Sequence, residues 1–291
     1  MREKVSWADV LVHIILTLFI FSVVLTFVHM LVLSFSPGYV ATKGGLHLWP
    51  EDPTLDNYAK VLKSKYIWLG YKNTILRTLV GTSLSLFITA MGAYALSKAY
   101  FPHRAYWTLL IVFTMFFSGG LIPNYLLVRD LGLLDTFASM ILPGMVSAYN
   151  LVIMRNYFQS LPEEIEESCM IDGAGRFRTF ISVVLPLSKP ILATVALWLA
   201  VGHWNAWFDV LIYITDETRF TLQVVLRRIL ITGTQQMLES TQVQEMNDYL
   251  QASPEGLKGA AIFVATLPIL CVYPFVQRYF VKGIMVGSLK G

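Results

Sequence analysis

The chain has 291 residues, of which 55% are apolar and 14% charged, with a net charge of +3. A soluble domain carries about 25% charged residues, so this balance and the positive mean hydropathy point to a polytopic membrane protein. No basic run is long enough to track phosphates, which argues against a nucleic-acid partner, and Cys169 and Cys271 lie in contexts too different to read as a disulfide pair.

The chain opens on MREKVSWADVLVHIILTLFIFSVVLTFVHMLVLSF. Its apolar run is too long for a signal peptide and no small-residue cleavage site follows, so it reads as a retained first membrane helix. A helix needs roughly 20 mostly apolar residues to cross the hydrocarbon core. Six windows meet that need, at 10–33, 73–97, 106–128, 137–158, 188–213 and 259–281. The expected fold is therefore an all-α, six-span membrane protein forming one transmembrane domain over 1–291. The second window is rich in small residues (Gly81, Thr82, Ser83, Ser85, Ala90, Gly92, Ala93), which let helix backbones approach closely. Pro123, Pro143, Pro268 and Pro274 predict kinks in the third, fourth and sixth windows. Residues 34–72 and 214–258 are too long for tight turns and read as extracytoplasmic segments; the second contains TQQMLESTQVQEMNDYLQ, a candidate amphipathic helix.

Lys and Arg near the span ends set orientation. The two sides tie in raw count. Among the short connections, though, only Arg129 lies on the side opposite the termini. That places both termini, and the connection between the fourth and fifth windows, in the cytoplasm.

That connection, 160–187, is the most informative stretch, and from Glu166 to Pro190, just past its end, the chain reads EESCMIDGAGRFRTFISVVLPLSKP. Ser160, Pro162 and Glu163 fit a capping box that opens a short helix. Glu163, Glu164, Glu166 and Glu167 lie near the positive end of its dipole, and Asp172-Gly173 should stop it. A second short helix carries Phe177, Phe180, Ile181 and Val184 and should close at Pro186. An ordinary solvated loop needs only a few residues. A long helix–glycine–helix element with apolar side chains suits a surface offered to a soluble partner.

The stretch resembles the EAA loop of ABC importer permeases. Glu167 stands at the motif's glutamate, Asp172-Gly173-Ala174 at its D-G-A, and Phe180 and Leu185-Pro186-Leu187 at its later positions; Ser168 and Cys169 replace the two alanines. The likeness extends over most of the chain. The tail YPFVQRYFVKGIMVGSLKG and the Trp-Asn of the fifth window resemble the maltose-type carbohydrate branch. FFSGGLIPNYLLV and the tail are most similar to permeases for acidic oligosaccharides such as alginate or pectin fragments.

The resemblance implies a type I importer fold in a bacterial plasma membrane. Its expected partners are a second permease subunit, two ATPase subunits and an extracytoplasmic binding protein. It implies no catalytic residue, metal or cofactor on this chain, with ATP and magnesium held by the ATPases; the sequence itself has no G-x-x-x-x-G-K-[ST]. ATPase coupling would fall to Glu166, Glu167, Asp172, Gly173, Ala174, Phe180, Leu185 and Pro186. The tail residues Lys282, Gly283, Gly287 and Lys290 would reach between the ATPases.

For the substrate path, Gly202, Asn205 and Asp209 recur at helical spacing with Trp198 one further turn away, which would put them on one face of the fifth span. Polar groups at membrane depth face the bundle interior or a water-filled route, and Trp204 and Trp207 offer faces for sugar rings. Asn124 and Tyr125, after Pro123, form a second candidate. His203 reads as a packed or hydrogen-bonded histidine. Arg219, Arg227 and Arg228 would steer an acidic cargo. Two rival readings stay open: an ABC permease for a different solute, and a secondary transporter. The latter would want several intramembrane ion-coupling groups and an inverted repeat, and Asp209 is the only acidic residue well inside a window.

Overall fold

The computed structural model describes residues 7–37, 40, 43–232 and 255–271. In chain order the helices are α1 (Trp7–Ser34), α2 (Asp56–Lys63), α3 (Lys65–Ser97), α4 (Arg104–Phe116) and α5 (Leu121–Asp130). There follow α6 (Ala148–Gln159), α7 (Glu163–Ile171), α8 (Arg176–Leu187), α9 (Lys189–Asn205), α10 (Phe208–Tyr213), α11 (Leu222–Thr232) and α12 (255–271). No strand occurs among the described residues. Among the described residues, two single helices, α1 and α3, are long and apolar enough to cross a membrane. Two bent pairs, α4 with α5 and α8 with α9, pass the same test together.

Several windows hold less regular structure than their hydropathy suggests. In the third, the chain turns by 115° between α4 and α5. The bend lies at Phe117–Gly120, where Gly120 has φ 81°, and not at Pro123, which occupies the first turn of α5, where its missing N–H costs nothing. The fourth window is not one helix. It holds a single 3₁₀ turn at Phe137–Met140, a break around Leu142-Pro143-Gly144, and then α6. The fifth is broken at Ser188, with an 84° bend, and again at Ala206-Trp207. In the sixth, α12 covers Pro268, while Pro274 and all residues from 272 onward, including Lys282, Gly283, Gly287 and Lys290, lie outside the described residues. So does the candidate amphipathic stretch of 233–254.

The chain divides into two compact units, Met1–Trp68 with Val225–Pro268, and Leu69–Val224 with Ile269–Gly291. In the first, α1 is apolar on every face and its outer turns are exposed, as suits a helix solvated by lipid. Its end is satisfied by side chains. Buried Asn57 donates from Nδ2 to the Ser34 and Ser36 carbonyls at 3.1 and 2.9 Å, filling acceptors that a helix terminus leaves open. The Tyr58 hydroxyl lies 2.8 Å from Ser34 Oγ; burial pushes its pKa up, partly offset by that bond. Helix α12 crosses α1 at Gly259, where a Cβ would stand 2.7 Å from the Met30 carbonyl oxygen.

In the second unit the core forms where α3, α6, α8 and α9 meet, built from Ala90, Ala93, Tyr94, Leu96, Leu151, Met154, Phe158, Phe180, Val184 and Val195. The small residues of α3 act as predicted: Ala93 is fully buried, and a Cβ at Gly81 would stand 2.6 Å from His203 Nε2. His203 is accordingly a packed histidine.

The backbone oxygen facing Gly259 cannot swing away as a side chain can. Gly259→Val should therefore destabilise the protein by about 1–3 kcal/mol, read as a lowered melting temperature in detergent. Gly202→Ala, whose Cβ meets nothing within 4 Å, should stay within about 0.5 kcal/mol of the parent. Equal melting of both variants would show that the α1–α12 crossing yields freely.

Candidate functional site

The 160–187 segment begins where α6 ends. Ser160 serves the helix before it, not the one after. It caps the C-terminus of α6, its Oγ donating to the Tyr157 carbonyl at 2.8 Å, and α7 starts from extended Pro162 with no side-chain cap. The expected capping box is thus absent, because the open carbonyls of α6 lie closer to the hydroxyl than the amides of α7. The acidic first turn, Glu163, Glu164 and Glu166, still complements the dipole of α7.

The glycine stop forms as expected. Ala174 N donates to the Cys169 carbonyl at 2.9 Å and Gly173 N to Met170 at 3.0 Å, with Gly173 at φ 79°. These two bonds define a Schellman ending, which requires a left-handed residue at the glycine. Beyond it, α8 does not close at Pro186. Residues Phe180–Val184 form a π turn in which Leu185 N reaches back to the Phe180 carbonyl, and the helix continues through Pro186 to Leu187. A widened turn spaces the carbonyls that a proline ring would otherwise strike.

Burial sorts the coupling candidates into two groups. Glu167, Asp172 and Gly173 are exposed, as are Ile171 (86%) and Phe177 (65%). Phe180 is buried, its ring stacked on Tyr94 with centroids 5.0 Å apart, while Ala174 and Leu185 are half-buried and Pro186 is exposed. Glu166 alone of α7 is buried. Its carboxylate accepts from Lys98 Nζ and, at 3.1 Å, from the Tyr94 hydroxyl.

The path candidates of the fifth window do not share one face. Extended backbone at Ala206 separates Asn205, at the end of α9, from Asp209 on α10. Gly202 and Asn205 are exposed, and Asn205 Nδ2 returns locally to the Val201 carbonyl at 3.0 Å. Asp209 instead pairs with Arg77 of α3: Nη1 donates to Oδ1 at 3.3 Å and Nη2 to Oδ2. The Arg77 side chain is 4% exposed. Trp198 packs against the core beside Tyr149, Trp204 Nε1 is buried without a hydrogen-bond partner, and Trp207 meets Phe208 edge-on at 5.5 Å. Tyr125 stacks on Tyr213 at 6.3 Å, while Asn124 is exposed.

Next to α10, Asp135 at φ 58° organises a turn. Its carboxylate accepts from the Thr215 and Asp216 amides, both at 3.1 Å, and from the Thr215 hydroxyl. Arg219 donates to the Asp135 carbonyl and pairs with Asp216 at 3.2 Å. The amide of Asp216 above all holds the Asp135 carboxyl below its ordinary range, and the Thr218 hydroxyl and amide do the same for Asp216. Arg219 is thereby committed to the turn, and a hollow of about 300 Å³ beside it is lined by Asn73, Leu76, Thr136, Phe137 and Met140.

Arg77, Lys98 and Tyr94 are the contributors that sequence reasoning passes over, the first two because Lys and Arg near span ends are ordinary. One signal was available: a lone Arg and a lone Asp, each inside an oily window, call for each other.

Residues 67–286 match the family described as binding-protein-dependent transport system inner membrane component. The chain is 41% identical over 268 residues to protein LplC of Bacillus subtilis (strain 168), covering 92% of this chain and 90% of that one. It is 37% identical over 283 residues to the polygalacturonan/rhamnogalacturonan transport system permease protein YtcP of the same strain, covering 97% and 98%. Among solved structures, a bacterial ABC transporter involved in the import of the acidic polysaccharide alginate superposes with a TM-score of 0.86 at 34% identity, covering 94% of this chain and 98% of that chain.

Asp209→Asn would leave the Arg77 guanidinium buried without its counter-charge, at a cost of about 3–5 kcal/mol. Its melting temperature in detergent should fall by several degrees, and Arg77→Met combined with Asp209→Leu should recover most of the loss. If the double variant melts as low as the single one, packing and not the unpaired charge sets the cost.

Proposed function

The chain belongs to the family of binding-protein-dependent transport system inner membrane components, and we propose on that premise that it carries an oligosaccharide across the membrane as one permease subunit of an ATP-driven ABC importer, with the 160–187 segment as its coupling element. The cargo we propose is acidic, of the alginate or pectin-fragment class. Support for this choice comes from the relatives: one is a polygalacturonan/rhamnogalacturonan permease and the solved neighbour takes part in alginate import.

One observation carries the coupling role. The tip of the helix–glycine–helix element is exposed and mixed in character, with Glu167, Ile171, Asp172 and Phe177 outward, while its base is fixed by Glu166 and Phe180. That is the form of a rigid knob for a cleft in another protein. The partners would be a second permease subunit, two ATPase subunits on the cytoplasmic side with ATP and magnesium, and an extracytoplasmic binding protein. Glu167 would meet basic or polar groups of an ATPase, and Gly173 would hold the turn. The tail residues Lys282, Gly283, Gly287 and Lys290 would extend the same contact. Both termini would then be cytoplasmic.

The substrate route we propose runs past Trp198, Trp204 and Trp207, with Gly202, Asn205, Asp209, Asn124 and Tyr125 beside it. Asp209 would act there through the Arg77 pair, which leaves the path without an uncompensated negative charge that would repel an acidic sugar.

Purification of the tagged chain from native membranes in mild detergent should bring down a P-loop ATPase and a second permease. Recovery of the chain alone would sink the coupling role. Within that complex, Gly173→Val should leave assembly intact but uncouple ATP hydrolysis from transport, because a β-branched residue resists φ near +79°. Normal transport by this variant would remove Gly173 from the mechanism. Stimulation of the complex's ATPase by trigalacturonate or an alginate trimer, and not by maltotriose, would assign the acidic class.

A further inference from the structure

Helix α7 has a single buried residue, and that residue is charged. Glu163, Glu164 and Glu167 point outward, while Glu166 turns in to receive Lys98 Nζ and the Tyr94 hydroxyl. Lys98 directly follows the last residue of α3, and Tyr94 lies one turn earlier. The ammonium also stands 4.9 Å from the Tyr94 ring centroid. Tyr94 in turn stacks on Phe180 of α8 at 5.0 Å and meets Phe158 of α6 edge-on at 6.3 Å. Just beyond, Arg176 lies 3.9 Å over the ring of Tyr100. One end of α3 thus meets both helices of the coupling segment through a charge pair and a set of rings.

The rest of α3 is bound differently. Along its middle, Thr78, Thr82, Ser85 and Thr89 have buried hydroxyls with no hydrogen-bond partner. Nearer the coupling end the facing contact is one of packing, with a Cβ position at Gly92 3.4 Å from Leu151. Directional bonds gather toward the far end, where the Gly81 backbone bonds the His203 ring, Arg77 pairs with Asp209 and Thr74 Oγ1 accepts from Leu222 N at 2.8 Å. About 30 Å of helix rise separates Arg77 from Lys98, close to the thickness of a hydrocarbon core. A helix fixed by polar contacts at both ends, with the unpartnered hydroxyls of Thr82, Ser85 and Thr89 between them, can shift as a rod.

We propose that Glu166 is the positioning residue through which a displacement of the coupling helix enters α3, and that α3 delivers it to the Arg77–Asp209 pair at the opposite membrane face. A buried ion pair is a weak source of stability but a strong source of orientation, because only one arrangement satisfies both charges. The π turn of α8 supports the joint by keeping Phe180 on the Tyr94 ring while the helix passes Pro186. This inference rests on the permease reading given above.

The test uses the complex as purified with its ATPase, in which Cys169 and Cys271 are replaced by Ser and spin labels are placed at Ser168→Cys on α7 and Lys72→Cys near the outer end of α3. In the parent, the distance between the labels should stay constant when ATP and magnesium are added, because α7 and α3 move together. In Glu166→Ala and Lys98→Ala it should change by several ångströms on addition, and the exchanged pair, Glu166→Lys with Lys98→Glu, should restore constancy. Glu166→Gln, which keeps the Tyr94 bond and the side-chain volume, should give a smaller change and serves where the alanine variant does not assemble. A constant distance in every variant, or no restoration by the exchanged pair, would overturn the joint. So would a resting distance that shifts equally with and without ATP, which is what a merely structural role predicts. Absence of any copurifying ATPase would sink the permease reading and the joint with it, whereas an ATPase present with labels as unmoved in the alanine variants as in the parent sinks the joint alone.

Discussion

Hydrocarbon offers no hydrogen bonds, so each backbone amide and carbonyl at membrane depth must find its partner within the protein. Unbroken α1 and α3 meet that demand along their own axes. Elsewhere the chain breaks its helices, and at the breaks side chains take over as partners. Thr221 Oγ1 donates to the carbonyl of Ala206, where α9 stops, at 3.4 Å. Asn73 Nδ2 serves the Thr218 and Phe220 carbonyls, Thr74 Oγ1 the Leu222 amide, and the Asp135 carboxylate the Thr215 and Asp216 amides. These polar residues, at the ends of the oily windows and in the connections beside them, are thus substitutes for lost helical bonds, and their positions follow from where the helices end or bend.

Charge obeys the same economy. An isolated charge in a low-dielectric interior is costly, and pairing it fixes geometry. The unit Leu69–Val224 spends its two most buried ion pairs at the two ends of α3: Arg77 with Asp209, and Lys98 with Glu166. By contrast, the exposed pairs Lys43–Glu51 and Arg129–Asp130 lie on the connections, where solvent screening leaves an ion pair little to contribute.

These distances along the chain explain what could be read from sequence. The turn at Gly173 belongs to a local pattern, since a Schellman ending is closed within six residues, and it was legible. The apolar windows that became α1 and α3 were legible for the same reason. Asp209 and Arg77 lie 132 residues apart and Glu166 and Lys98 lie 68 apart, so no window could join them; only the rule that intramembrane charges need partners pointed that way. The shared face of Gly202, Asn205 and Asp209 was lost because helical periodicity presumes an unbroken helix, and nothing in Asn-Ala-Trp announces a break. Ser160 was misassigned because it lies between two helix ends, and a hydroxyl can serve either. Pro186 misled because a π turn absorbs a proline that a regular helix would not.

The tip of the helix–glycine–helix segment combines features that two simpler surroundings would reject. Lipid would accept Met170, Ile171 and Phe177 but not Glu167, Asp172 and Arg178 interleaved with them. Water would accept the charges, but an isoleucine 86% exposed and a phenylalanine 65% exposed, on either side of a fixed glycine turn, form more apolar surface than a solvated loop needs to show. A protein cleft accommodates both, with apolar anchors at the centre and charges at the rim. Such a surface gains from rigidity, since a knob already in its bound shape loses little entropy on docking. The Schellman bonds, the π turn and the buried Glu166 supply that rigidity from three directions, so this charged interruption between oily stretches is firmly built.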